Sequence, residues 1–236
     1  MEKVSVIIPT FDRFDFLLDT IKSVKSQTYT NIEIIVINDG STQKEYYDYD
    51  WSGVIMIHLP QNTNVEFGYP SPGYVRNKGI EQSTGKYIAF CDDDDIWFPS
   101  KLELQINAMK RTGCKMSSTE GIMGHGKYNP ASHSQYKLMG SDPGVLRIRY
   151  NYFMRYNINL FTDGYPEILS KKHVQNVYIL INSAVVIEKE ILDKINNFKN
   201  MKPPGEDYDC YLRALDHTNV VYVKDVCMYY SRRTPL

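Results

Sequence analysis

Four consecutive carboxylates, at positions 92–95, directly follow the apolar run 87–91. Like charges held about 4–6 Å apart raise one another's pKa unless a cation neutralises them. Hard oxygen ligands with no Cys or His at zinc spacing favour Mg²⁺ or Mn²⁺. Such ions are held by one or two carboxylates together with substrate phosphates, so the run predicts a phosphate-bearing substrate. A solvated acidic turn is the alternative interpretation.

Apolar segments precede this run and two other polar positions. Residues 4–10 and 32–37 are continuous apolar runs, which are typical of parallel strands covered by helices on both faces. Thr10, Asp39 and Asp92 stand at the ends of three such segments. Ligands of open α/β sheets bind beyond the carboxyl ends of the strands. We therefore expect these three residues to share one rim of a Rossmann-like, mostly parallel sheet.

Further elements follow from the hydrophobic periodicity. Helices are predicted at 74–82, 101–111, 189–198 and 207–216, and strands at 54–59, 86–91, 178–187, 220–223 and 226–230. Ser100 and Glu103 have the spacing of a capping box, which would fix a helix start at Lys101. Residues 121–172 are rich in Gly, Asn, Ser and Tyr, which indicates loops with short elements.

Composition excludes several classes of protein. The 236 residues carry 27 basic and 28 acidic side chains, and a net charge of −1 gives no general attraction to nucleic acid or anionic membranes. Four cysteines without a C-x-x-C pair predict reduced thiols. The chain shows no signal-peptide pattern and no apolar run near the roughly 20 residues that span a bilayer. We expect a cytoplasmic protein with no transmembrane segment and no nucleic-acid partner.

Six segments, in this order along the chain, resemble family 2 glycosyltransferases with the GT-A fold. They read S-V-I-I-P-T-F-D-R at 5–13, S-Q-T-Y at 26–29, E-I-I-V-I-N-D-G-S-T at 33–42, Y-V-R-N-K-G-I at 74–80, C-D-D-D-D-I-W-F-P at 91–99 and G-E-D-Y-D-C-Y-L-R at 205–213. The fifth segment resembles the family's D-x-D motif and the sixth its late E-D motif. The resemblance implies one GT-A domain over 1–236, with a nucleotide-binding half at 1–95 and an acceptor-binding half at 96–236.

The resemblance also implies a metal-dependent, inverting transfer. A sugar would pass from a nucleotide-sugar, most commonly a UDP-sugar, to a hydroxyl of a carbohydrate or glycoconjugate acceptor. Asp94 would bind Mn²⁺ or Mg²⁺ directly, and Asp92 would contact the ribose or the hydrated metal. Asp207 would act as general base, which typically contributes 10²–10⁴-fold. The residues implied in nucleotide binding are Pro9, Thr10, Asp39, Arg76, Asp92 and Asp93.

Simpler interpretations stay open for several of these positions. Asp207 could only open a helix, the polar run after residue 37 could be an ordinary turn, and Arg76 an ordinary surface charge. Arg232 and Arg233 could close over a diphosphate or form a solvated tail. For the whole chain, the alternatives are a sugar nucleotidyltransferase-like enzyme and a catalytically silent GT-A carbohydrate-binding module.

Overall fold

The computed structural model describes residues 1–131, 136–137, 166–176 and 180–232, with the side chains of 136, 137, 176 and 232 left out. Its strands are β1 Val4–Thr10, β2 Ile32–Asn38, β3 Ile55–His58, β4 Tyr87–Phe90, β5 Ile96–Trp97, β6 Met116–His125, β7 Tyr136–Lys137, β8 Ile168–Leu169, β9 Val186–Glu188 and β10 Val220–Arg232. Its helices are α1 Phe14–Lys25, α2 Glu45–Asp48, α3 Thr63–Phe67, α4 Pro72–Gln82, α5 Lys101–Thr112, α6 Lys171–Asn176, α7 Lys189–Lys194 and α8 Glu206–Ala214.

One sheet runs through the described residues in the order β3-β2-β1-β4-β9-β6-β10-β5. The strands β3, β2, β1 and β4 are mutually parallel, as predicted from their continuous apolar runs. The later strand β9 is antiparallel to both neighbours, β4 and β6, whereas β10 is parallel to β6. The carboxyl ends of β1, β2 and β4 therefore lie side by side at one edge of the sheet.

The sheet buries apolar side chains on both faces. Successive residues of a strand point to opposite faces, so Ile7 packs on the side of α4 and α8 while Val6 and Ile8 pack on the side of α1 and α5. All three side chains are fully buried. Helix α4 approaches the sheet closely at Gly79, where an added Cβ would lie 2.5 Å from Ile7 Cγ2. A glycine is therefore needed there to bring α4 against the strand ends.

Helix α5 begins at Lys101 as predicted, but the predicted capping box is wrong. Ser100 has helical dihedral angles (φ −87°, ψ −1°) and its side chain caps no amide. The Leu102 amide instead donates to Gln27 Oε1 at 3.1 Å. Glu103 accepts a hydrogen bond from Thr28 at 2.7 Å. Side chains that follow α1 thus take over the capping that the local sequence predicted.

Three elements in the second half differ from the predictions. The helix predicted to reach residue 198 ends at Lys194, since Asn196 and Asn197 adopt left-handed φ angles of 55° and 57°. The two predicted late strands form the single strand β10, with register shifts near Val223 and Val226. Of the strand predicted at 178–187, only the last two residues belong to β9, and 177–179 lie outside the described residues.

Two compositional expectations can be compared with the structure. All four cysteines are free and buried, as predicted. In the described part of the chain, no helix combines the length and the apolar character needed to cross a membrane.

Candidate functional site

The rim of the sheet brings together Thr10, Asp39 and the acidic run. Thr10 ends β1, and its carbonyl accepts a hydrogen bond from the Asp39 amide at 2.9 Å. Strand β4, which precedes the acidic run, pairs with β1 on the other side, and the Cys91 amide donates to the Ile7 carbonyl. Pro9, one residue before Thr10, is half-buried in β1. The predicted convergence of these segments at one edge is what the strand order produces.

Arg13 joins two carboxylates of the acidic run. Its Nη1 donates to Asp93 Oδ1 at 2.9 Å and to Asp94 Oδ2 at 2.6 Å. The Thr10 hydroxyl donates to the other oxygen of Asp93 at 2.8 Å, and the Tyr46 hydroxyl lies 2.7 Å from Thr10 Oγ1. Asp93 is only 5% exposed, so its side chain is turned into the protein with both oxygens bonded.

Burial dominates the electrostatics of this pair of carboxylates. It raises the pKa of Asp93 to about 7, although Arg13 opposes the shift. Burial also raises the pKa of Asp94, again against the effect of Arg13. For Arg13 itself, burial would lower the pKa, but Asp93 and Asp94 outweigh it and the pKa is raised. The cluster carries more negative charge than its one arginine neutralises.

Asp92 is held by a different arginine. Arg76 Nη2 donates to Asp92 Oδ1 at 2.8 Å, and Arg76 Nη1 lies 3.5 Å from Glu206 Oε1 on α8. The Arg76 side chain is 4% exposed, whereas that of Asp92 is 30% exposed. The Asp92 amide donates to Ser183 Oγ at 2.9 Å. Arg76 was predicted at the surface or on the nucleotide, and it lies beneath the rim between two carboxylates.

Asp95 belongs to the interior. It is fully buried, its Oδ1 accepts a hydrogen bond from the Ser231 amide at 2.8 Å, and burial raises its pKa well above the usual value. The Thr20 hydroxyl lies 2.9 Å from the Asp93 carbonyl oxygen and 2.8 Å from that of Asp95, which ties the turn to α1. The four aspartates therefore occupy four different environments.

Asp39 lies in a polar pocket at the end of β2. Its Oδ1 accepts from the Thr63 amide at 2.8 Å and its Oδ2 from the Thr63 hydroxyl at 2.7 Å. Burial raises the pKa of Asp39, and the bonds from Thr63 partly offset that shift. Gly40 follows with φ 67°, and a Cβ there would lie 2.5 Å from the Asn62 amide nitrogen. Only glycine fits this turn without strain.

Asn38 stands where the family that this sequence resembles commonly has an aspartate. It is fully buried, and its Oδ1 accepts from the Ser41 amide at 2.8 Å. Its Nδ2 lies 3.0 Å from His58 Nδ1 on β3. Asn38 thus builds the turn that presents Asp39, which is the structural role that its turn sequence also predicts.

Asp207 stands in the first turn of α8, after Gly205, which has a φ of 118°. Its Oδ1 accepts from the Tyr208 amide at 2.7 Å, and Asn182 Nδ2 lies 3.4 Å from its Oδ2. Asp209, two residues further along α8, is bonded instead to Lys199 and Arg213. Among the described residues no cation pairs with Asp207, so this carboxylate keeps acceptor capacity for a ligand.

Two residues of this network were not predicted to have a role. Arg13 lies three positions after the end of the first strand. A cation this close to a rim with four carboxylates was the feature of the sequence that could have indicated its role. Glu206 was considered only as part of a helix start, and nothing in the sequence indicated its contact with Arg76. The side chain of Arg232 and the whole of Arg233 lie outside the described residues, so their predicted roles stay predictions.

The donor atoms at the rim suit a hard divalent cation. No group of three or more His, Cys, Asp or Glu side chains in the described residues is placed to hold a metal by itself. Asp92 and Asp94 nevertheless each use one carboxylate oxygen for an arginine, which leaves oxygen donors within an acidic cluster. Mg²⁺ and Mn²⁺ accept such partial sites when substrate phosphates supply further ligands. The two residues therefore fit an ion that a diphosphate helps to bind.

Comparisons with known proteins place glycosyltransferases among the relatives of this chain. An uncharacterized glycosyltransferase of Rickettsia bellii is 41% identical over 131 residues, which are 53% of this chain and 18% of the relative. The Escherichia coli protein WfaP, named UDP-Glc:alpha-D-GlcNAc-diphosphoundecaprenol beta-1,3-glucosyltransferase, is 36% identical over 111 residues, or 47% of this chain and 42% of WfaP. The matches thus span less than half of the length of these relatives.

Solved structures and a family model extend the match. Staphylococcus aureus TarS 1–349 in complex with UDP-GlcNAc superposes with a TM-score of 0.70 at 17% identity, over 99% of this chain and 60% of TarS. This likeness confirms the predicted α/β fold of GT-A type. The model of glycosyl transferase family 2 matches residues 5–165, about two thirds of the sequence. The chain therefore belongs to glycosyl transferase family 2.

Proposed function

We propose that the protein transfers a sugar from a nucleotide-sugar to a hydroxyl of a carbohydrate or glycoconjugate, with the help of a divalent metal ion and with inversion at the anomeric carbon. The observation that carries this proposal is the link across the rim. Arg76 contacts both Asp92, in the acidic run, and Glu206, the neighbour of Asp207. The carboxylates suited to a diphosphate and the carboxylate suited to an acceptor hydroxyl thus stand on segments that one buried guanidinium connects.

The nucleotide would lie along the ends of β1 and β2. Asp39 Oδ2 accepts from Thr63 and Asn62, but among the described residues Oδ1 accepts only from the Thr63 amide, so the carboxylate can accept a further hydrogen bond from a nucleobase. Phe11, next to Thr10, is 43% exposed and offers an aromatic face for stacking on the base. The Asp12 amide donates to Ser41 Oγ, which keeps this loop beside the Asp39 turn. Asp93 would act indirectly, by holding Thr10 and Arg13 in place.

The leaving diphosphate would lie beside Asp92 and Asp94. A bound Mn²⁺ or Mg²⁺ there would neutralise charge on the diphosphate as it leaves. Asp94 would be a direct ligand, because Arg13 is bonded to only one of its two carboxylate oxygens. Asp92, the more exposed of the two side chains, would contact the ribose or the ion.

Asp207 would take the proton of the attacking hydroxyl. Its carboxylate pairs with no described cation, whereas Asp209 is bonded to Lys199 and Arg213. A carboxylate that is not neutralised by a neighbouring cation remains available as a hydrogen-bond acceptor and base. A single in-line displacement by the activated hydroxyl inverts the anomeric configuration, as the family resemblance implies.

UDP-sugars are the donors that we propose. The name of WfaP specifies UDP-Glc, and TarS has been crystallised with UDP-GlcNAc. The acidic run, the Asp39 pocket and the exposed Phe11 supply the contacts that a uridine diphosphate needs: oxygen ligands for a bridging ion, an acceptor for the base and a face for stacking.

Thermal shift and calorimetry test this proposal. Ligands that bind the native state raise its melting temperature, so UDP, GDP and dTDP and their sugar conjugates are screened with Mn²⁺ and with EDTA. We expect UDP-containing ligands to give the largest shift, and only with Mn²⁺. Asp94→Asn should lose the Mn²⁺-dependent part of the affinity, whereas Asp216→Asn, on an exposed aspartate paired with Lys171, should keep it.

Two results would contradict the proposal. If no nucleoside diphosphate raised the melting temperature in the presence of Mn²⁺, the proposed donor site would be wrong. If UDP bound equally well with Mn²⁺ and EDTA, the function of the acidic run as a metal site would be wrong.

A further inference from the structure

Glu206 and Asp92 share one guanidinium. Arg76 is 96% buried, its Nη2 bonds Asp92 at 2.8 Å, and its Nη1 lies 3.5 Å from Glu206 outside hydrogen-bond geometry. The guanidinium carbon also lies 5.8 Å from the centre of the Phe198 ring. Arg76 Nε and Nη1 have no hydrogen-bond partner in the part of the chain that the structure describes. The contact between Arg76 and Glu206 is therefore mainly one of charge.

The backbone around this contact is fixed by other bonds. Asn77 Nδ2 donates to the Phe198 carbonyl at 2.8 Å, and the Phe198 amide donates back to Asn77 Oδ1 at 3.0 Å. Helix α4 also approaches this region closely at Gly73, where a Cβ would lie 3.3 Å from Glu206 Cγ. These contacts hold Glu206 near Arg76 without depending on its negative charge. The charge of Glu206 can therefore be removed with little change in shape.

The charge balance of the three residues determines what Asp92 offers a ligand. Asp92 and Glu206 are both acidic and Arg76 is always cationic, so the group carries a net charge of −1. Without the charge of Glu206, Arg76 would neutralise Asp92 completely. A neutral group attracts a divalent cation less and repels a bare diphosphate less.

We propose that Glu206 is a positioning residue that acts through Arg76: its charge compensates the guanidinium and leaves Asp92 negative for the metal-bound diphosphate. This inference rests on the proposed function, since it concerns the same donor site. It assigns to the first residue of the E-D pair a task in donor binding, separate from the proton transfer assigned to Asp207.

Calorimetric titration with UDP tests the inference. We define the metal gain as the Kd in EDTA divided by the Kd in Mn²⁺. Glu206→Gln, which keeps the shape of the side chain, should lower the metal gain by about five- to tenfold. In EDTA the same variant should bind UDP about two- to threefold more tightly, because one negative charge near the diphosphate is gone. A merely structural role would weaken binding under both conditions.

Two control variants separate charge from shape and from helix effects. Glu206→Asp keeps the charge on a shorter side chain and should keep the metal gain within about twofold of wild type. Asp209→Asn removes one charge from the same helix, at a residue paired with Lys199 and Arg213, and should leave the metal gain unchanged. If Glu206→Gln does not fold, the double variant Arg76→Gln/Glu206→Gln replaces it, since it removes the buried cation together with the charge that compensates it. The double variant should show the wild-type metal gain.

The possible results distinguish a failure of this inference from a failure of the proposed donor site. A wild-type protein without metal gain would overturn both this inference and the metal-dependent donor site. If wild type shows a metal gain and Glu206→Gln keeps it, this inference alone is overturned. The same follows if Asp209→Asn lowers the metal gain as much as Glu206→Gln does. The same holds if Glu206→Asp behaves like Glu206→Gln, or if the double variant loses the gain.

Discussion

The carboxylates of the acidic run and the Asp207 carboxylate of α8 are held in opposite ways. Asp92 and Asp94 are each bonded to an arginine, at 2.8 Å and 2.6 Å, and Asp93 is bonded to Arg13 and Thr10. Asp207 accepts a hydrogen bond from its neighbour's amide and lies 3.4 Å from Asn182, with no cation beside it among the described residues. The acidic run thus holds its carboxylates by hydrogen bonds to arginine, whereas Asp207 keeps acceptor capacity for a ligand.

The difference follows from what each task requires. In the proposed function, the carboxylates of the acidic run must stay in place although they repel one another, and guanidinium groups hold them while opposing the rise in pKa that burial causes. A general base needs a free lone pair that points at the acceptor, so a bonded cation would oppose its action. In the proposed function, the aspartates of the acidic run and Asp207 therefore have different tasks because their neighbours differ.

The largest test of this contrast removes the free carboxylate. Asp207→Asn should lower kcat by about 10²–10⁴-fold, because an amide cannot accept the proton, while the Kd for UDP stays near wild type. Steady-state rates of transfer from a UDP-sugar and calorimetry with UDP measure the two quantities. Asp209→Asn, whose carboxylate is already bonded to Lys199 and Arg213, is the control and should keep its turnover. Unchanged turnover in Asp207→Asn would place the base elsewhere.

A second test concerns a buried cation behind the acidic run. The Lys101 ammonium is fully buried, 3.9 Å from the Trp97 ring centre and bonded to Gln105 Oε1 at 2.7 Å. Burial lowers the pKa of Lys101 from 10.5 to about 7, and the thiols of Cys91 and Cys227 oppose this only in part. Lys101 is thus a buried cation without a described carboxylate partner, whereas Asp207 is a half-buried carboxylate without a described cation partner.

The lowered pKa of Lys101 makes the stability of the folded protein depend on pH. A lowered pKa in the folded state means that stability from this group is present above pH 10.5 and is lost as the pH falls to 7. Between pH 7 and pH 10, wild type should gain about 3–5 kcal/mol relative to Lys101→Met, which lacks the ionisation. Urea unfolding at both pH values measures this difference. Lys110→Met, on the exposed side of the same helix, should behave like wild type, and parallel pH profiles for wild type and Lys101→Met would disprove the assignment.

The smallest expected effect comes from removing the cation of the acidic run. Arg13→Met should cost about 2 kcal/mol at pH 8.5, since Asp93 and Asp94 lose their partly buried partner. The pKa of Asp93 is raised to about 7, so at pH 6 this carboxyl is mostly neutral and the loss of stability should be smaller. Thermal melts at the two pH values measure the loss, at about 2–4 °C per kcal/mol.

An exposed ion pair provides the matched control for Arg13. Lys127→Met breaks the pair with Asp19, whose side chains are about half exposed, and should cost less than about 1 kcal/mol at either pH. A loss of stability for Arg13→Met that did not depend on pH would show that its bond to Asp93 contributes little.

The positions of the main elements followed from local patterns. Continuous apolar runs predicted β1, β2 and β4, and the helices α4 and α5 begin within two residues of their predicted starts. The cap of α5 and the end of α7 were not predicted correctly. Gln27 rather than Ser100 caps α5, and the left-handed Asn196 and Asn197 end α7 early. Periodicity reports which face of a segment is buried, and it carries no information on such partners.

The sequence by itself determined the rim: parallel strands that end in polar residues must present them at one edge, so Thr10, Asp39 and Asp92 were expected to converge. Only the tertiary structure decided how each carboxylate is held. Four adjacent aspartates look alike in the sequence, yet Arg76 takes Asp92, Arg13 takes Asp93 and Asp94, and the Ser231 amide takes Asp95. The physical reason is that ionisation depends on burial and on charges within a few ångströms, and the fold supplies those from segments far apart in the chain.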